Sequence, residues 1–338
     1  MKFDRTSNET DIAKYAKDLT KYLPRNFVTD ASLDYTKFIQ RGLDENKIVK
    51  MPNFPLLINE KGLYIKCSSR IIFQKYSSIS IMPNSLKDYG IIRIFNVNNI
   101  IIYSPILIGE RNKHIGNEGE WGMGIYILGS KNIQILNPTV SDCWGDGIYI
   151  GRGDNGTSKN VKIINGVIDN CRRNGISITD GENIEIRNPI ISNIHGTMPM
   201  CGIDIEPNDN KSTINNIFLI NPITFNNSNS GILIYLNALL GQVKKKVHIQ
   251  IMNHFDNSSD IGFYLGGYNG QNNLAQPLSG SIDIIKPTWK NNRISISSEN
   301  NFIIGPKVTF RNIKIQNSKG NLQKIKHELS HKKNILVE

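Results

Sequence analysis

The sequence predicts an all-β protein, a right-handed parallel β-helix in which each coil is one copy of a short repeat. Two interleaved strand patterns support this prediction. The first is Gly-Ile-x-Ile or a close variant, and it begins at Gly124, Gly147, Gly175, Gly202, Gly231 and Gly262. The second begins with asparagine and recurs at Asn99, Asn132, Asn160, Asn183 and Asn216. Repeats that alternate isoleucine with polar residues cannot bury their apolar face alone, so they must stack on one another.

Composition agrees with a β-rich fold and indicates the charge of a partner. Isoleucine and asparagine are frequent, which suits β-branched interiors and asparagine-bearing turns. The net charge is +11, and the excess lies late in the chain, at Lys244–Lys246 and beyond Lys319. We therefore expect an acidic polymer as partner. Nucleic acid is not expected, because no nucleic-acid-binding motif accompanies the charge.

From the sequence we expect neither a signal peptide nor a membrane span. The first residues, MKFDRTSNETDIAKYAKD, contain no apolar segment, and no run of about 18 apolar residues occurs. We expect synthesis in the cytosol, and virion association or release by a non-classical route stay open. Four cysteines without CxxC spacing predict reduced, buried thiols: Cys67, Cys143, Cys171 and Cys201.

Three segments are expected along the chain. Residues 1–50 form an N-terminal extension that contains a short amphipathic helix from Asp34 to Leu43, suited to cap the first coil. Residues 51–318 form the β-helix. Residues 319–338 form a basic C-terminal tail, for which terminal disorder is the simplest prediction.

Strand alternation assigns the side chains of the repeat to two faces. The isoleucines of Gly-Ile-x-Ile point inward, so the third and fifth positions form an outer face. The third positions are Tyr126, Tyr149, Ser177, Asp204, Leu233 and Tyr264. The fifth positions are Leu128, Gly151, Thr179, Glu206, Tyr235 and Gly266. Aromatic, small and acidic residues thus share one surface, and Tyr126, Tyr149 and Tyr235 are candidate sugar contacts.

Carboxylates on this face are the candidate catalytic groups. Asp204 and Glu206 lie two residues apart on one strand, so both side chains leave the same face. Neighbouring carboxylates raise the pKa of one another, as a glycosidase requires for one protonated acid and one ionised base. Asp146, two coils earlier, is a candidate third carboxylate, although Asp-Gly is equally a common turn element.

Further polar residues in turns and loops are candidate substrate contacts. Arg172 and Arg173 precede the coil between the two acidic coils, where either can clamp an anionic group or form a salt bridge. His195 lies in the loop that leads into the acidic strand. The long polar segment 109–122 carries Glu120 and Trp121, and such a loop beside a groove typically serves binding.

These blocks resemble the pectate-lyase-like superfamily of right-handed parallel β-helix proteins, which includes polygalacturonases, polysaccharide lyases and phage tailspike depolymerases. The similar blocks are GEWGMGI at 119–125, GDGIYIG at 145–151, RRNGISI at 172–178 and GIDIEPN at 202–208. The resemblance implies a polysaccharide-active groove on one parallel sheet. The GHG and RxK blocks of polygalacturonases and the paired-arginine motifs of pectate lyases are absent, so no mechanism transfers residue by residue.

The sequence leaves three functions open. The first is an inverting glycoside hydrolase that cleaves an acidic bacterial surface polysaccharide through Asp204 and Glu206, assisted by Asp146, without a cofactor. The second is a lyase or uronate epimerase, in which carboxylates hold Ca²⁺ and Arg173 or His195 removes a proton. The third is a non-catalytic carbohydrate-binding or virion-fibre module. A homotrimer is expected only by analogy with tailspikes.

Overall fold

The computed structural model describes residues 7–267, 276–298, 305–317, 322–332 and 334–338. Within these residues the chain winds through three parallel sheets, because each coil contributes one strand to each sheet. The architecture is the predicted parallel β-helix, and the predicted repeat is its coil.

Sheet 1 contains nine described strands, and its outer face carries the third and fifth positions of the repeat. Its strands are Leu63–Tyr64, Asp88–Phe95, Trp121–Leu128, Ile148–Gly151, Asn174–Ile178, Cys201–Ile205, Ser230–Tyr235, Ile261–Gly266 and Ile294–Ser298.

Sheet 2 contains twelve described strands and carries the asparagine-led pattern. Its strands are Lys17–Asp18, Ile48–Lys50, Arg70–Ile72, Asn98–Tyr103, Lys131–Leu136, Ser158–Ile164, Gly181–Arg187, Ile214–Ile220, Lys246–Met252, Ser279–Ile285, Lys307–Arg311 and Ile335–Val337.

Sheet 3 contains ten described short strands. Its strands are Pro55–Ile58, Ser78–Ile81, Ile106–Ile108, Thr139–Ser141, Val167–Asp169, Ile190–Ser192, Ile223–Phe225, Phe255–Asn257, Thr288–Lys290 and Lys314–Gln316. The three described 3-10 helices are Leu19–Tyr22, Arg111–Lys113 and Asn237–Leu239.

Stacked isoleucines fill the interior of the coils. The register places Ile125, Ile148, Ile176, Ile203 and Ile232 directly above one another in sheet 1. All five side chains have no solvent-exposed surface. Burial of such side chains from neighbouring coils is the main stabilising contribution, because each coil alone exposes its apolar face.

Asparagine ladders join the turns of successive coils. Asn99, Asn132, Asn160, Asn183 and Asn216 all adopt a positive φ of 55 to 60°. Each later member donates Nδ2 to Oδ1 of the member one coil earlier at 2.8 to 3.0 Å. Asparagine tolerates this left-handed conformation and its short amide reaches the next coil, which explains the residue at this position.

The glycine that opens each repeat interrupts the strict alternation of side chains. A Cβ on Gly175 would lie 2.3 Å from Cγ2 of Ile191, an interior side chain. The strand pairing skips Gly175: Asn174 pairs with Cys201, and Ile176 pairs with Ile203. Two successive residues therefore face inward, and the residue before the glycine lies on the outer face of sheet 1.

Both ends of the β-helix carry helices. Ser7–Tyr15 and Thr36–Glu45 lie at the N-terminal end, and the second buries Ile39 and Leu43 as the predicted cap. The first coil begins earlier than the expected boundary at residue 51, since Lys17–Asp18 and Ile48–Lys50 already pair in sheet 2.

Two expectations need correction. The segment expected as a disordered tail contains a helix, Leu322–Ser330, and the strand Ile335–Val337, which pairs with Lys307–Arg311. Ile325 and Leu329 are buried and four residues apart, as on one face of a helix. The pattern was not recognised in the sequence because lysines surround these two residues. All four cysteines are free thiols, but Cys67 is exposed because it lies in a turn.

Candidate functional site

Sheet 1 presents the residues of the candidate site in the expected order. Its third-position side chains stack as Tyr126, Tyr149, Ser177, Asp204, Leu233 and Tyr264. The fifth positions extend the same ladder, because the backbone N–H groups of Thr179 and Glu206 donate to the carbonyls of Ile150 and Ile178. Asp204 and Glu206 therefore lie together on the coil that follows the small residue Ser177.

Asp204 forms the floor of the site. Its side chain is 1% exposed, and its Oδ2 accepts a hydrogen bond from Nδ2 of Asn174 at 2.9 Å. Its Oδ1 is buried and has no hydrogen-bond partner among the described residues. Burial, followed by the charge of Glu206, raises the pKa of Asp204 well above its usual range.

Glu206 is the more accessible member of the pair. Its side chain is half-buried. Within the described part of the chain, its carboxyl group has no hydrogen bond and no ion pair. Burial raises the pKa of Glu206, and the charge of Arg173 opposes this shift only in part. An acidic group that is accessible, lacks a described protein partner and has a raised pKa has the properties of a general acid.

Asp146 and Arg173 form a buried ion pair beside the carboxylate pair. Asp146 has no exposed surface, and its Oδ2 lies 3.3 Å from Nη1 of Arg173. Burial raises the pKa of Asp146, while the charge of Arg173 opposes the shift. Nε of Arg173 lies 3.6 Å from Oε2 of the exposed Glu120. Arg173 thus interacts with carboxylates from two earlier coils.

Asn174 connects these groups and was not singled out from the sequence. Its backbone N–H donates to Oδ1 of Asp146 at 3.0 Å, and its Nδ2 also donates to Oγ of Ser177 at 3.0 Å. Its Oδ1 accepts the N–H of Cys201 at 3.0 Å. The signal available in the sequence was its position before the repeat glycine, which corresponds to that of Asp146 one coil earlier.

Aromatic residues line sheet 1 on the N-terminal side of the carboxylates. The rings of Tyr126 and Tyr149 meet edge to face, with centroids 5.3 Å apart. The hydroxyl of Tyr149 accepts hydrogen bonds from Thr179 Oγ1 at 2.9 Å and Asn208 Nδ2 at 3.3 Å. Trp121 begins its strand beside Asp88 and is 47% exposed, so its ring is available to a ligand.

A cleft of about 440 Å³ adjoins the carboxylates on the C-terminal side. Tyr235, the third tyrosine expected at the site, belongs to this cleft. Its lining includes Arg173, Met198, Glu206, Leu233, Tyr235 and Tyr264. The candidate site is therefore a carboxylate cluster between two aromatic surfaces.

Arg172 and His195 make their contacts outside the carboxylate cluster. The guanidinium of Arg172 stands 3.7 Å from the ring centroid of Trp144, and its Nη1 donates to the carbonyl of Gly119 at 2.9 Å. Nδ1 of His195 lies 2.8 Å from the carbonyl oxygen of Asn193. Neither residue contacts Asp146, Asp204 or Glu206 in the described structure, so the structure does not bring them into the carboxylate cluster.

The loop that carries Glu120 is anchored by a buried pair. Nδ1 of His114 lies 2.9 Å from Oε1 of Glu110, and both side chains are 1% exposed. The ring of His114 stacks on Trp144 with centroids 3.9 Å apart, and Arg172 covers the same indole ring. This stack fixes the end of the loop, because Arg172 also holds Gly119 beside Glu120.

The charge of the candidate site is opposite to the net charge of the chain. Counted formally, its described acidic side chains are Asp88, Glu120, Asp146, Asp204 and Glu206. Its basic ones are Arg173 and Arg93, which pairs with Tyr126 on sheet 1. Among the described residues, no group of three or more His, Cys, Asp or Glu side chains is arranged to hold a metal ion. The helices within the described ranges are too short or too polar to span a membrane.

A parallel β-helix with a carboxylate-bearing sheet defines the class of protein. The family described as "Right handed beta helix region" matches residues 41–219, and the chain belongs to this family. A prophage-derived uncharacterized protein of Bacillus subtilis, YorA, is 33% identical over 96 residues. That match covers 26% of this chain and only 16% of the relative.

Two solved structures share the fold at low sequence identity. A tailspike protein of an Acinetobacter baumannii bacteriophage, described as a capsular polysaccharide depolymerase, is 12% identical with a TM-score of 0.63. The similarity covers 99% of this chain and 62% of the tailspike. A polygalacturonase from Erwinia carotovora is 13% identical with a TM-score of 0.62, covering 92% and 95% of the two chains.

Proposed function

We propose that the protein is a polysaccharide-cleaving glycoside hydrolase in which Asp204 and Glu206 form the acid and base pair. The observation that carries this proposal is Glu206, a half-buried carboxyl group with a raised pKa and no described protein partner. A raised pKa lets such a group keep its proton to a higher pH than an ordinary glutamate does, so that it can deliver the proton to the oxygen of the leaving sugar.

The roles of the two carboxyls follow from their accessibility. Glu206 contacts the glycosidic oxygen as the general acid, because it is the member that reaches the cleft. Asp204, at the floor of the site, acts as the base in its ionised form, which the hydrogen bond from Asn174 favours. The proposed reaction inverts the anomeric configuration, which requires the two carboxyl groups to be far enough apart to admit the attacking water.

Asp146 assists by holding Arg173 beside the pair. The ion pair keeps a positive charge near Glu206, which limits the rise of the Glu206 pKa. Trp121, Tyr126 and Tyr149 offer aromatic surfaces to neighbouring sugar units. Shared folds with a capsular depolymerase and a polygalacturonase support a polysaccharide as the substrate class.

An anionic polymer was expected because of the net charge of +11. The carboxyl groups around Arg173 disfavour an anionic unit at the centre of the site, since Arg173 is already close to Asp146 and Glu120. Anionic units of a substrate would therefore lie elsewhere along the groove.

Cleavage of a bacterial polysaccharide panel tests this proposal. Glu206→Gln and Asp204→Asn are each expected to abolish the release of new reducing ends, whereas Glu182→Gln on sheet 2 keeps it. For a polymer that is cleaved, NMR of the first product gives its anomeric configuration. Full activity of the Glu206→Gln and Asp204→Asn variants would show that another group carries the reaction.

A further inference from the structure

The cleft beside Glu206 has a composition that differs from the rest of the site. We propose that it binds an uncharged sugar unit that bears a methyl group, either in an acetamido substituent or at C6 of a 6-deoxy sugar. This inference rests on the proposed function, because it assigns the substrate unit next to the bond that Glu206 would cleave.

The cleft is built by the coils that follow the acidic strand. Leu233 pairs with Asp204 on the next coil, and Tyr264 pairs with Leu233 on the coil after that. Tyr235 continues the same strand as Leu233, and Met198 faces them with 60% of its surface exposed. The volume of about 440 Å³ lies within the range of small-molecule sites.

Apolar surface dominates this lining, in contrast to the carboxylates one coil earlier. Leu233 and Met198 offer aliphatic surface, while Tyr235 and Tyr264 offer ring surface against which the C–H face of a sugar can pack. An additional methyl group in a hydrophobic pocket changes affinity by about tenfold. A sugar with hydroxyl groups alone would leave the aliphatic part of this lining without a matching substituent.

Charge argues against a uronate in the cleft. Glu206 lines it directly, and Asp204 lies two residues earlier, on the strand Cys201–Ile205. The cation that lines it, Arg173, already lies 3.3 Å from Asp146 and 3.6 Å from Glu120. A sugar carboxylate would lack a dedicated cation and would place a negative charge near the Asp204 base, opposing its ionisation, so an uncharged unit fits better.

Two matched sugar series test the proposal with the whole 338-residue chain. In the galacto series the methyl glycosides of D-galactose, D-fucose, N-acetyl-D-galactosamine and D-galacturonate differ only at C6 or C2. The gluco series uses D-glucose, D-quinovose, N-acetyl-D-glucosamine and D-glucuronate. Binding is measured by saturation-transfer NMR with wild type, Leu233→Ser and the control Ile190→Ser, an exposed apolar residue of sheet 3. Because Leu233 is only 8% exposed, circular dichroism first verifies that Leu233→Ser is folded.

In at least one series, we expect a methyl-bearing member to bind about tenfold more tightly than its parent hexose and the uronate to bind more weakly. Leu233→Ser should remove this preference and Ile190→Ser should keep it. A stronger signal from the 6-deoxy sugar or from the acetamido sugar identifies which substituent the cleft takes.

Equal or tighter binding of the uronates overturns the proposal, and so does the absence of any Leu233-dependent signal in both series. These sugars are bound and not cleaved, so either result leaves hydrolysis through Glu206 untouched. An inactive wild type or a fully active Glu206→Gln variant would instead refute the proposed function.

Discussion

Asn174 donates a hydrogen bond from Nδ2 to Oδ2 of Asp204 at 2.9 Å, and its own backbone N–H binds Asp146. One buried residue therefore joins carboxyl groups that belong to coils on either side of it. The hydrogen bond to Asp204 stabilises the ionised carboxylate and opposes the effect of burial on its pKa.

Replacing Asn174 with alanine is expected to raise the pKa of Asp204 further and to lower kcat more than it changes KM. The base-dependent limb of the pH–rate profile should move to higher pH, because Asp204 loses a partner that favours its ionised form. The measurement is the pH dependence of kcat on any polysaccharide that the wild type cleaves.

Asn227→Ala is the matched control for this change. Asn227 is also buried, and its Oδ1 accepts the backbone N–H of Ile194 at 3.2 Å, as Asn174 does for Cys201. Both variants should lose stability, but only Asn174→Ala should alter the pH profile. Identical profiles in the two variants would reduce Asn174 to a structural role.

Arg173→Met is expected to reduce the free energy of unfolding by about 3 kcal/mol, the lower end for breaking a buried ion pair. The change leaves Asp146, which has no exposed surface, without its cation. The double variant with Asp146→Asn should recover part of the loss, since the uncompensated charge is then absent. Urea denaturation at neutral pH measures all three proteins.

Arg293→Met provides the comparison on the surface. Its pair with Asp260 is accessible to solvent, with side chains 57% and 34% exposed, so its loss should cost much less stability than the loss of the Arg173 pair. An Arg173 variant that is as stable as this control would contradict the view that Asp146 depends on Arg173.

Asp256 is buried inside the β-helix and makes the free energy of unfolding depend on pH. The carboxyl accepts hydrogen bonds from Thr224 and Ser259, yet burial raises its pKa from 3.8 to about 6. Between these values the unfolded chain loses its proton first, so the folded state is destabilised as pH rises from about 4 to about 6. The expected loss is about 3 kcal/mol.

Asp256→Asn should remove this part of the pH dependence. The measurement compares the free energy of unfolding of the two proteins at pH 4, 5, 6 and 7 by denaturant titration. The difference between them should change across the interval and become constant above it. A constant difference from pH 4 onward would mean that the pKa of Asp256 is close to its unfolded value.

Gly175→Ala is expected to destabilise the fold by about 1–3 kcal/mol, because the added methyl would lie 2.3 Å from Cγ2 of Ile191. Gly166→Ala is the control, since its nearest neighbour would be 3.2 Å away. Thermal unfolding of both variants measures the effect. Equal stability would show that the interior can accommodate a side chain at the repeat glycine.

Strand alternation was sufficient to predict the column that contains Asp204 and the position of Glu206 beside it. Alternation alone assigns Asp146 to the opposite face from Tyr149, three residues later. The structure differs because Gly147 interrupts the pattern, and this offset also brings Asn174 to the outer face. The repeated glycine is evident in the sequence. The change in side-chain direction at that glycine depends on packing in the interior, which a single repeat does not show.

Long-range contacts explain most of what the sequence did not predict. Arg172 and Arg173 are adjacent, yet one packs on Trp144 and the other pairs with Asp146. Their separation depends on the anchored loop at residues 109–120, whose path has no counterpart in the repeat. The net charge of the chain did not predict the charge of the groove, because it sums a lysine-rich C-terminal region and a carboxylate-rich groove.

Backbone pairing of the parallel strands sets the distance between successive coils, and the asparagine ladders repeat at the same spacing, since each amide hydrogen-bonds to the one before it. Equivalent positions on sheet 1 therefore recur at about 4.8 Å, the separation of paired strands. The groove therefore presents equivalent side chains to a bound polymer at fixed intervals. A polymer whose repeat length matches a multiple of that spacing can make the same contacts at successive repeats. A polymer whose repeat length does not match loses these contacts after a few units.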